Sequence, residues 1–159
     1  MKTYTEYENL IVDRLAAGND FDISPLPLID AINEARVPNK PRIYVIYAGS
    51  SFDDSNHLGE FGQNETLSFK VYIRCRTRDG ELGVFEVAEE AVQRLMKWRP
   101  INASEKISIT SFQYVQGIQN NWQYELSFSF PRVRVAREEP NLPEDNLLIK
   151  EITHNIKAV

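Results

Sequence analysis

Two stretches of the chain carry apolar residues at the three- and four-residue spacing that predicts an amphipathic helix. The first covers residues 3–17 and is followed by Gly18 and Asn19, which are stop signals for a helix. Its predicted buried face consists of Tyr7, Leu10, Ile11 and Leu15. The second covers residues 84–98 and is ended by Pro100. Its predicted buried stripe consists of Val84, Val87, Ala88, Ala91, Val92, Leu95 and Met96.

Four further segments have the pattern of β-strands. Residues 42–47, RIYVIY, are apolar on both alternating faces, which predicts a central strand covered on both sides. Residues 66–76 alternate, so that one face packs and the other meets solvent or a neighbour. The packed face is predicted to consist of Leu67, Phe69, Val71, Ile73 and Cys75. Residues 107–115 and 122–130 flank the turn sequence GIQNN and predict a hairpin, after which Pro131 indicates a bulge or an edge position.

Three segments lack such patterns. Residues 21–28 contain Pro25 and Pro27, and we predict irregular structure there and up to residue 41. Residues 48–65 are rich in Gly, Ser, Asp and Asn, which predicts a long exposed loop. Residues 137–159 combine a spacer containing two prolines and several acidic residues with a late apolar group, which is typical of an arm.

The order of these elements predicts a single α+β domain over residues 1–136, followed by a C-terminal arm over residues 137–159. The domain is expected to hold a mixed, mostly antiparallel sheet of four to five strands, flanked by two main helices. A chain of 159 residues is long enough to bury a core of this size.

Composition and charge narrow the classes of function. The formal net charge is −5 and the pI is about 5.1, so the chain lacks the cationic excess needed to bind a nucleic-acid backbone. An acidic surface does suit a passage through which DNA slides without sticking. A single cysteine, Cys75, excludes an internal disulfide and is predicted to be a buried thiol. No apolar stretch is long enough for a membrane span, so we expect a protein of the cytosol with no membrane partner.

The sequence offers no catalytic pattern. Only two histidines are present, His57 and His154, and neither lies beside a recognisable nucleophile. We therefore predict no enzyme, no catalytic residues and no cofactor. A metal site is conceivable where Asp53, Asp54, His57 and Glu60 share one loop, but the spacing of a hard-cation loop is missing, and a solvated acidic loop with no metal is the favoured interpretation.

Arginines also follow the strand segments, and they form two groups. The groups are Arg74, Arg76 and Arg78, and Arg132, Arg134 and Arg137. Stripes of this kind can bind single-stranded nucleic acid, but in an acidic chain we interpret them as solvated strand faces. Ion pairing at an interface is compatible with either interpretation.

The C-terminal arm is the best candidate for contact with a partner. Its apolar residues, which follow the proline-containing spacer, are Leu147, Leu148, Ile149, Ile152 and Ile156. They either fold back on their own domain or pack on a neighbouring subunit, by side-chain contact or by strand addition.

Several local sequences resemble the Mu-like tail terminator, or tail-completion, family of tailed phages over roughly residues 3–135. They are PRIYVIYAGSSF, ETLSFKVYIRCRTRDG, VFEVAEEAVQRLMKW and YELSFSFPRVRV, and the first carries Pro41, Val45, Tyr47, Gly49 and Ser50. The resemblance implies a subunit of a homo-oligomeric ring, a hexamer in such families, with a mixed sheet flanked by helices. It also implies that loop residues Phe52, Asp53, Asp54 and Glu60 contact a neighbouring ring or line the lumen.

The function expected from this resemblance is structural. The ring would cap the tail tube and offer a docking surface to the head connector, within a virion assembled in the bacterial cytoplasm. The implied partners are other copies of the chain, the tail tube protein, head–tail connector or neck proteins and, as a further candidate, the sheath protein. DNA would only pass through the lumen. The alternatives are a neck or connector protein of the same particle, and a small cytosolic binding module or enzyme.

Overall fold

A computed structural model describes residues 1–19, 21–25, 39–53, 62–118 and 120–135. These ranges contain two helices and one five-stranded mixed sheet, which confirms the predicted α+β class. The elements are α1 (Tyr4–Ala16), β1 (Asp22–Pro25), β2 (Arg42–Phe52), β3 (Gly62–Cys75), α2 (Val84–Met96), β4 (Ser108–Ile118) and β5 (Asn121–Val135). Within these ranges, neither helix has the length and apolar character needed to cross a bilayer.

Helix α1 begins at a capping box and lies against the sheet through one face. The Thr3 hydroxyl accepts a hydrogen bond from the Glu6 amide, and the Glu6 carboxylate accepts one from the Thr3 amide, which satisfies two free donors of the first turn. Tyr7, Ile11 and Leu15 are fully buried, and Leu10 is partly buried at the edge of the core. The predicted helix and its apolar face are confirmed.

The sheet has the strand order β1-β2-β3-β5-β4, so β1 and β4 form its edges. Strand β1 is parallel to β2, and all other neighbours are antiparallel. The prediction of irregular structure was wrong for Asp22–Pro25, which form β1. Four residues ending in proline carry too little local pattern, and it is their pairing with Arg42–Val45, distant in sequence, that makes them a strand. The predicted irregular residues 26–38 lie outside the described residues.

The predicted loop over residues 48–65 was wrong at both ends. Strand β2 continues to Phe52 and β3 begins at Gly62, so residues 48–52 and 62–65 belong to the sheet. The register shifts between Tyr47 and Gly49, where Gly49 has a φ of +129° that other residues rarely adopt. This bulge lets the Gly- and Ser-rich segment remain paired. Residues 54–61 lie outside the described residues.

The core lies between the helices and one face of the sheet. All five inward-facing residues predicted for β3 are buried, at 1% exposure or less. On β5, Leu126, Phe128 and Phe130 are buried opposite them, and the Phe69 ring stacks on the rings of Phe128 and Phe130. The predicted alternation on both strands is confirmed for these positions.

Helix α2 buries most of its predicted stripe. Val84, Val87, Ala88, Ala91 and Leu95 are buried. Val92 is partly buried against the core, but Met96 is 52% exposed, so its assignment to the buried stripe was wrong. Met96 is the last helical residue, and at that end the preceding residue, Leu95, occupies the inward position.

Strands β4 and β5 form the predicted hairpin and are longer than the pattern indicated. Pro131 lies in β5, an inner strand, opposite Thr66 of β3. Its carbonyl accepts a hydrogen bond from the Ser104 amide on the β4 side, beyond the start of β4 at Ser108. In an antiparallel strand the nitrogen of a residue faces the same side as its carbonyl. The missing N–H of Pro131 therefore costs no ladder bond, because β5 is locally an edge here.

Candidate functional site

The two segments singled out for assembly leave the fold at the same end of the sheet. Gly62, which begins β3, is the register partner of Val135, which ends β5. Phe52, the last residue of β2, lies opposite Glu65 on the other side of β3. The residues that flank the predicted contact loop and the residue that precedes the predicted arm are therefore neighbours on adjacent strands.

Backbone and side-chain hydrogen bonds fix the base of the loop. The Asp53 amide donates to the Asn64 carbonyl at 3.0 Å, and the Gln63 side-chain amide donates to the Asp53 carbonyl at 2.7 Å. The Phe52 side chain is 47% exposed beside them. Two of the four predicted loop residues, Phe52 and Asp53, thus lie at this base.

The remaining predicted contact residues lie outside the described residues, and their role stays a prediction. They are Asp54 and Glu60 in the loop and Leu147, Leu148, Ile149, Ile152 and Ile156 in the arm.

A buried carboxylate lies directly beneath this surface. Glu65 is fully buried, and its Oε1 accepts hydrogen bonds from the Tyr4 hydroxyl at 2.7 Å and the Ser50 hydroxyl at 2.9 Å. Its Oε2 accepts one from Arg132 Nε at 2.6 Å and lies 3.3 Å from Arg134 Nε. One carboxylate therefore joins α1, β2 and β5 to β3. We call Tyr4, Ser50, Glu65, Arg132 and Arg134 the Glu65 cluster.

Aromatic rings and the N-terminus enclose the cluster. The Tyr4 ring stacks on the Tyr47 ring with centroids 4.1 Å apart. The Arg132 guanidinium lies over the rings of Tyr4 and Tyr7, at 5.4 Å from each centroid. Its Nη1 donates to the Lys2 carbonyl at 2.8 Å, which ties the start of the chain to the end of β5. Cation–π contacts of this kind are strongest when the cation is desolvated, as Arg132 is at 1% exposure.

The electrostatics of the cluster favour its charged form. Burial alone would raise the pKa of Glu65, but the hydrogen bonds from Arg132, Tyr4 and Ser50 outweigh it and hold that pKa below its ordinary value. The hydrogen bond to Glu65, followed by burial, raises the pKa of the Tyr4 hydroxyl. Burial opposes the charge of Arg132, yet its bond to Glu65 raises the pKa of the guanidinium. The cluster is an ion pair that holds the end of the sheet in one arrangement.

The sequence interpretation of the arginines was wrong for two of them. Arg132 and Arg74 are each 1% exposed rather than solvated, and Arg74 Nε donates to the Asn121 side chain at 2.9 Å. Arg76, Arg78 and Arg134 are exposed as predicted, and Arg137 lies outside the described residues.

The functional residue that the sequence interpretation missed is Glu65, which was assigned to the loop. A usable signal was present. Counting in steps of two from Leu67 leads inward to Glu65, and counting from Phe130 leads inward to Arg132.

Chemical function was searched across those parts of the chain that the structure describes. There, no three His, Cys, Asp or Glu side chains stand close enough together to hold a metal ion. Of the four loop residues weighed for a metal, Asp53 is described, whereas Asp54, His57 and Glu60 are not. Cys75 is buried as predicted, and burial raises the pKa of its thiol to about 12, which suppresses the reactive thiolate.

Two open depressions occur in the described surface. One, of about 430 Å³, is lined by Met1, Asn102, Ala103, Ser104 and Val133. The other, of about 200 Å³, is lined by Asn39, Lys40, Pro41, Arg76, Thr77, Glu81 and Leu82. The first lies beside the origin of the arm, because Val133 precedes the end of β5 by two residues.

Comparison with known proteins gives one assignment. No curated protein matches the chain. The sequence model of the Gp37 protein family matches residues 11–155, a range that includes the contact loop and most of the arm. A match over most of the chain is enough to assign the family, so this protein is a member of the Gp37 protein family, which is associated with phages.

Proposed function

We propose that this protein is a structural subunit of a phage tail, which caps the tail tube as a ring and offers a docking surface to the head connector. The observation that carries the proposal is the pairing of Gly62 with Val135, since it brings the contact loop and the arm out of the sheet side by side. Two neighbouring segments on one rigid end form a single surface for another protein. Membership of a phage-associated family supports the same class of function.

The Glu65 cluster gives this surface its rigidity. It fixes the ends of β2 and β5, the beginning of β3 and the N-terminus of α1 relative to one another. A surface held in one geometry loses less conformational freedom when it binds, so more of the contact energy is available for affinity. Such a surface is suited to recognition rather than to chemistry, and we propose that the protein is not an enzyme.

The ring, its number of subunits and its partners also belong to the proposal. We infer a homo-oligomeric ring, a hexamer by resemblance to tail terminators, that contacts the tail tube protein, the connector or neck proteins and the sheath protein. A ring repeats one heterologous contact around an axis. The net charge of −5 is compatible with a lumen through which DNA passes without binding.

Electron microscopy of phage particles assembled with and without this protein tests the proposal. We expect overlong or headless tails in its absence, because nothing would stop growth of the tube or join it to the head. Tails of normal length without heads would instead favour the neck or connector alternative. Uniformly normal particles would overturn both.

Charge reversal at the loop refines the test. Asp53→Lys combined with Asp54→Lys is expected to reproduce the assembly defect, because it changes the charge of the proposed contact loop. Glu86→Lys combined with Glu89→Lys makes the same charge change on the exposed face of α2 and serves as the control. If both pairs assemble normally, the loop is not the contact surface.

A further inference from the structure

A second surface, at the other end of the sheet, exposes aromatic rings beside α2. It consists of Phe85 on α2, Phe112 and Tyr114 on β4, and Tyr124 on β5, which we call the aromatic patch. Phe85 is 37% exposed, Phe112 39% and Tyr114 57%. The Tyr124 ring is their common neighbour, with centroids 5.5, 5.1 and 5.6 Å from the three others. The rings hold one another in place and still present apolar area to solvent.

The patch borders an edge strand that lacks the usual protection. The β4 sequence, SITSFQYVQGI, contains no charged residue and no proline. Native edge strands are commonly guarded by charges, by proline, by shortness or by bulges. Strand β4 has two register shifts, but they leave Ser111–Tyr114 regularly paired between them. At the opposite edge, β1 has only four residues and includes Asp22 and Pro25. The protection of the two edges is therefore unequal, and β4 is the open one.

A cation stands at the border of the patch. The Arg78 guanidinium lies over the Phe85 ring at 5.5 Å and over the Trp122 ring at 5.7 Å, and its side chain is 48% exposed. An acidic group that enters beside the aromatic rings would therefore meet a positive charge. A ligand that combines acidic residues with adjacent apolar residues fits this surface.

We propose that the aromatic patch receives the C-terminal apolar segment, residues 147–156, of a second copy of this chain. In that segment the apolar residues follow directly after Glu144, Asp145 and Asn146. The order of acidic then apolar residues matches Arg78 at the border and the rings within. The inference deepens the proposed function, because it names the surface on which the arm of a neighbouring subunit binds.

Chain length favours a second copy over the arm's own domain. The spacer, residues 136–146, contains two prolines and spans about 34 Å when extended. The same number of residues separates Val135 from Tyr124 along β5, about 36 Å at the rise of a strand. An arm that binds its own domain must also reverse direction after Val135, which uses part of that length. An arm that continues outward reaches a neighbouring copy without a reversal.

Cysteine cross-linking of the full-length protein tests the proposal. Two single variants, Tyr114→Cys and Leu148→Cys, are purified, mixed and oxidised, alone at high concentration and within assembled particles. We expect a disulfide between the two different variants, which joins two chains. The native Cys75 does not interfere, because it is buried and its pKa is about 12. Glu89→Cys, on the exposed face of α2, replaces Tyr114→Cys in the control and is expected to lose the cross-link.

Other outcomes overturn the inference. A cross-link within one chain of the double variant, with none between the single variants, would assign the arm to its own domain. Absence of any cross-link, in variants whose thermal unfolding matches the parent protein, would show that the patch binds something else. Failure of the proposed function is distinguishable, since particles would then be normal without the protein while the cross-link between copies still formed.

Discussion

At the scale of single residues, Glu65 has the widest structural role at the end of the sheet. Its carboxylate accepts hydrogen bonds from α1, β2 and β5 while it is itself held by β3. A buried ion pair contributes little compared with a well-packed apolar pair, but loss of one partner leaves the other charge uncompensated. The consequences of changing Glu65 are therefore large and specific.

We expect Glu65→Gln to lower the free energy of unfolding by about 3–5 kcal/mol, because Arg132 would remain buried without its counter-ion. Glu90→Gln is the matched control, since Glu90 pairs with Arg94 on the surface of α2 and is 47% exposed. Its expected cost is about 0.3–0.5 kcal/mol. Urea denaturation measures both values. Equal costs for the two variants would contradict the structural role of Glu65.

The same carboxylate predicts a dependence of stability on pH. Because the pKa of Glu65 is lower in the folded protein than its ordinary 4.5, its contribution is complete above that value and is lost as the pH falls through the folded pKa. We expect the parent protein to lose stability on acidification more steeply than Glu65→Gln does. Denaturation curves between neutral and acidic pH measure the two slopes. Identical slopes would mean that another carboxylate causes the effect.

Residue-level prediction from the sequence succeeded where the strand period was unbroken and failed where composition outweighed it. The inward positions from Leu67 to Cys75 were predicted correctly, because each is apolar. Glu65 and Arg132 occupy the next inward positions of their strands, but a charged residue is rarely buried alone. Only the pairing of β3 with β5 brings the two opposite charges together.

At the scale of elements, the β4–β5 hairpin depends on a close contact between Gly117 and Trp122. The two residues are register partners, and a Cβ at position 117 would lie 2.5 Å from the Trp122 ring. Side chains do not approach one another so closely, so glycine is required there for packing.

We expect Gly117→Ala to destabilise the protein by about 1–3 kcal/mol, the usual cost of inserting a methyl group into a filled space. Gln113→Ala, at an exposed position of the same strand, is the control and is expected to change stability little. Midpoints of urea denaturation compare the two. A Gly117→Ala variant as stable as the parent would show that the Trp122 ring moves aside freely.

Both helices and four of the five strands were predictable, because each contains its own periodic pattern. The strand β1 and the true ends of β2 and β3 were not. Four residues with a proline have no readable period, and the Gly- and Ser-rich end of β2 is ordered by cross-strand pairs such as Ser50 with Leu67. The predicted loop residues Phe52 and Asp53 consequently lie at the base of the loop rather than within it.

At the scale of the whole molecule, Cys75 reports on opening of the core. It is 1% exposed at the end of β3, and its thiol has a pKa of about 12. We expect a thiol reagent to modify it at least about 1,000-fold more slowly in the folded protein than in urea, because access requires opening against the global stability. The rate is followed by absorbance at increasing urea concentration. Rapid modification without denaturant would contradict a well-packed core.

The strand order was beyond prediction, because it depends on pairings between residues distant in sequence. The sequence indicates which segments are strands, but not that β3 lies between β2 and β5. This order determines the candidate site, since it brings Gly62 beside Val135. Sequence reasoning could therefore name a loop and an arm without revealing that they share one origin.

The arm and the aromatic patch lie at opposite ends of the same sheet, which gives each subunit the polarity of a monomer with one plug and one socket. Such monomers add head to tail, and only the angle between successive copies determines whether the chain closes or grows as an open fibre. A peptide of residues 137–159 has a plug and no socket. It is expected to act as a chain stopper, shortening any polymer that the purified protein forms.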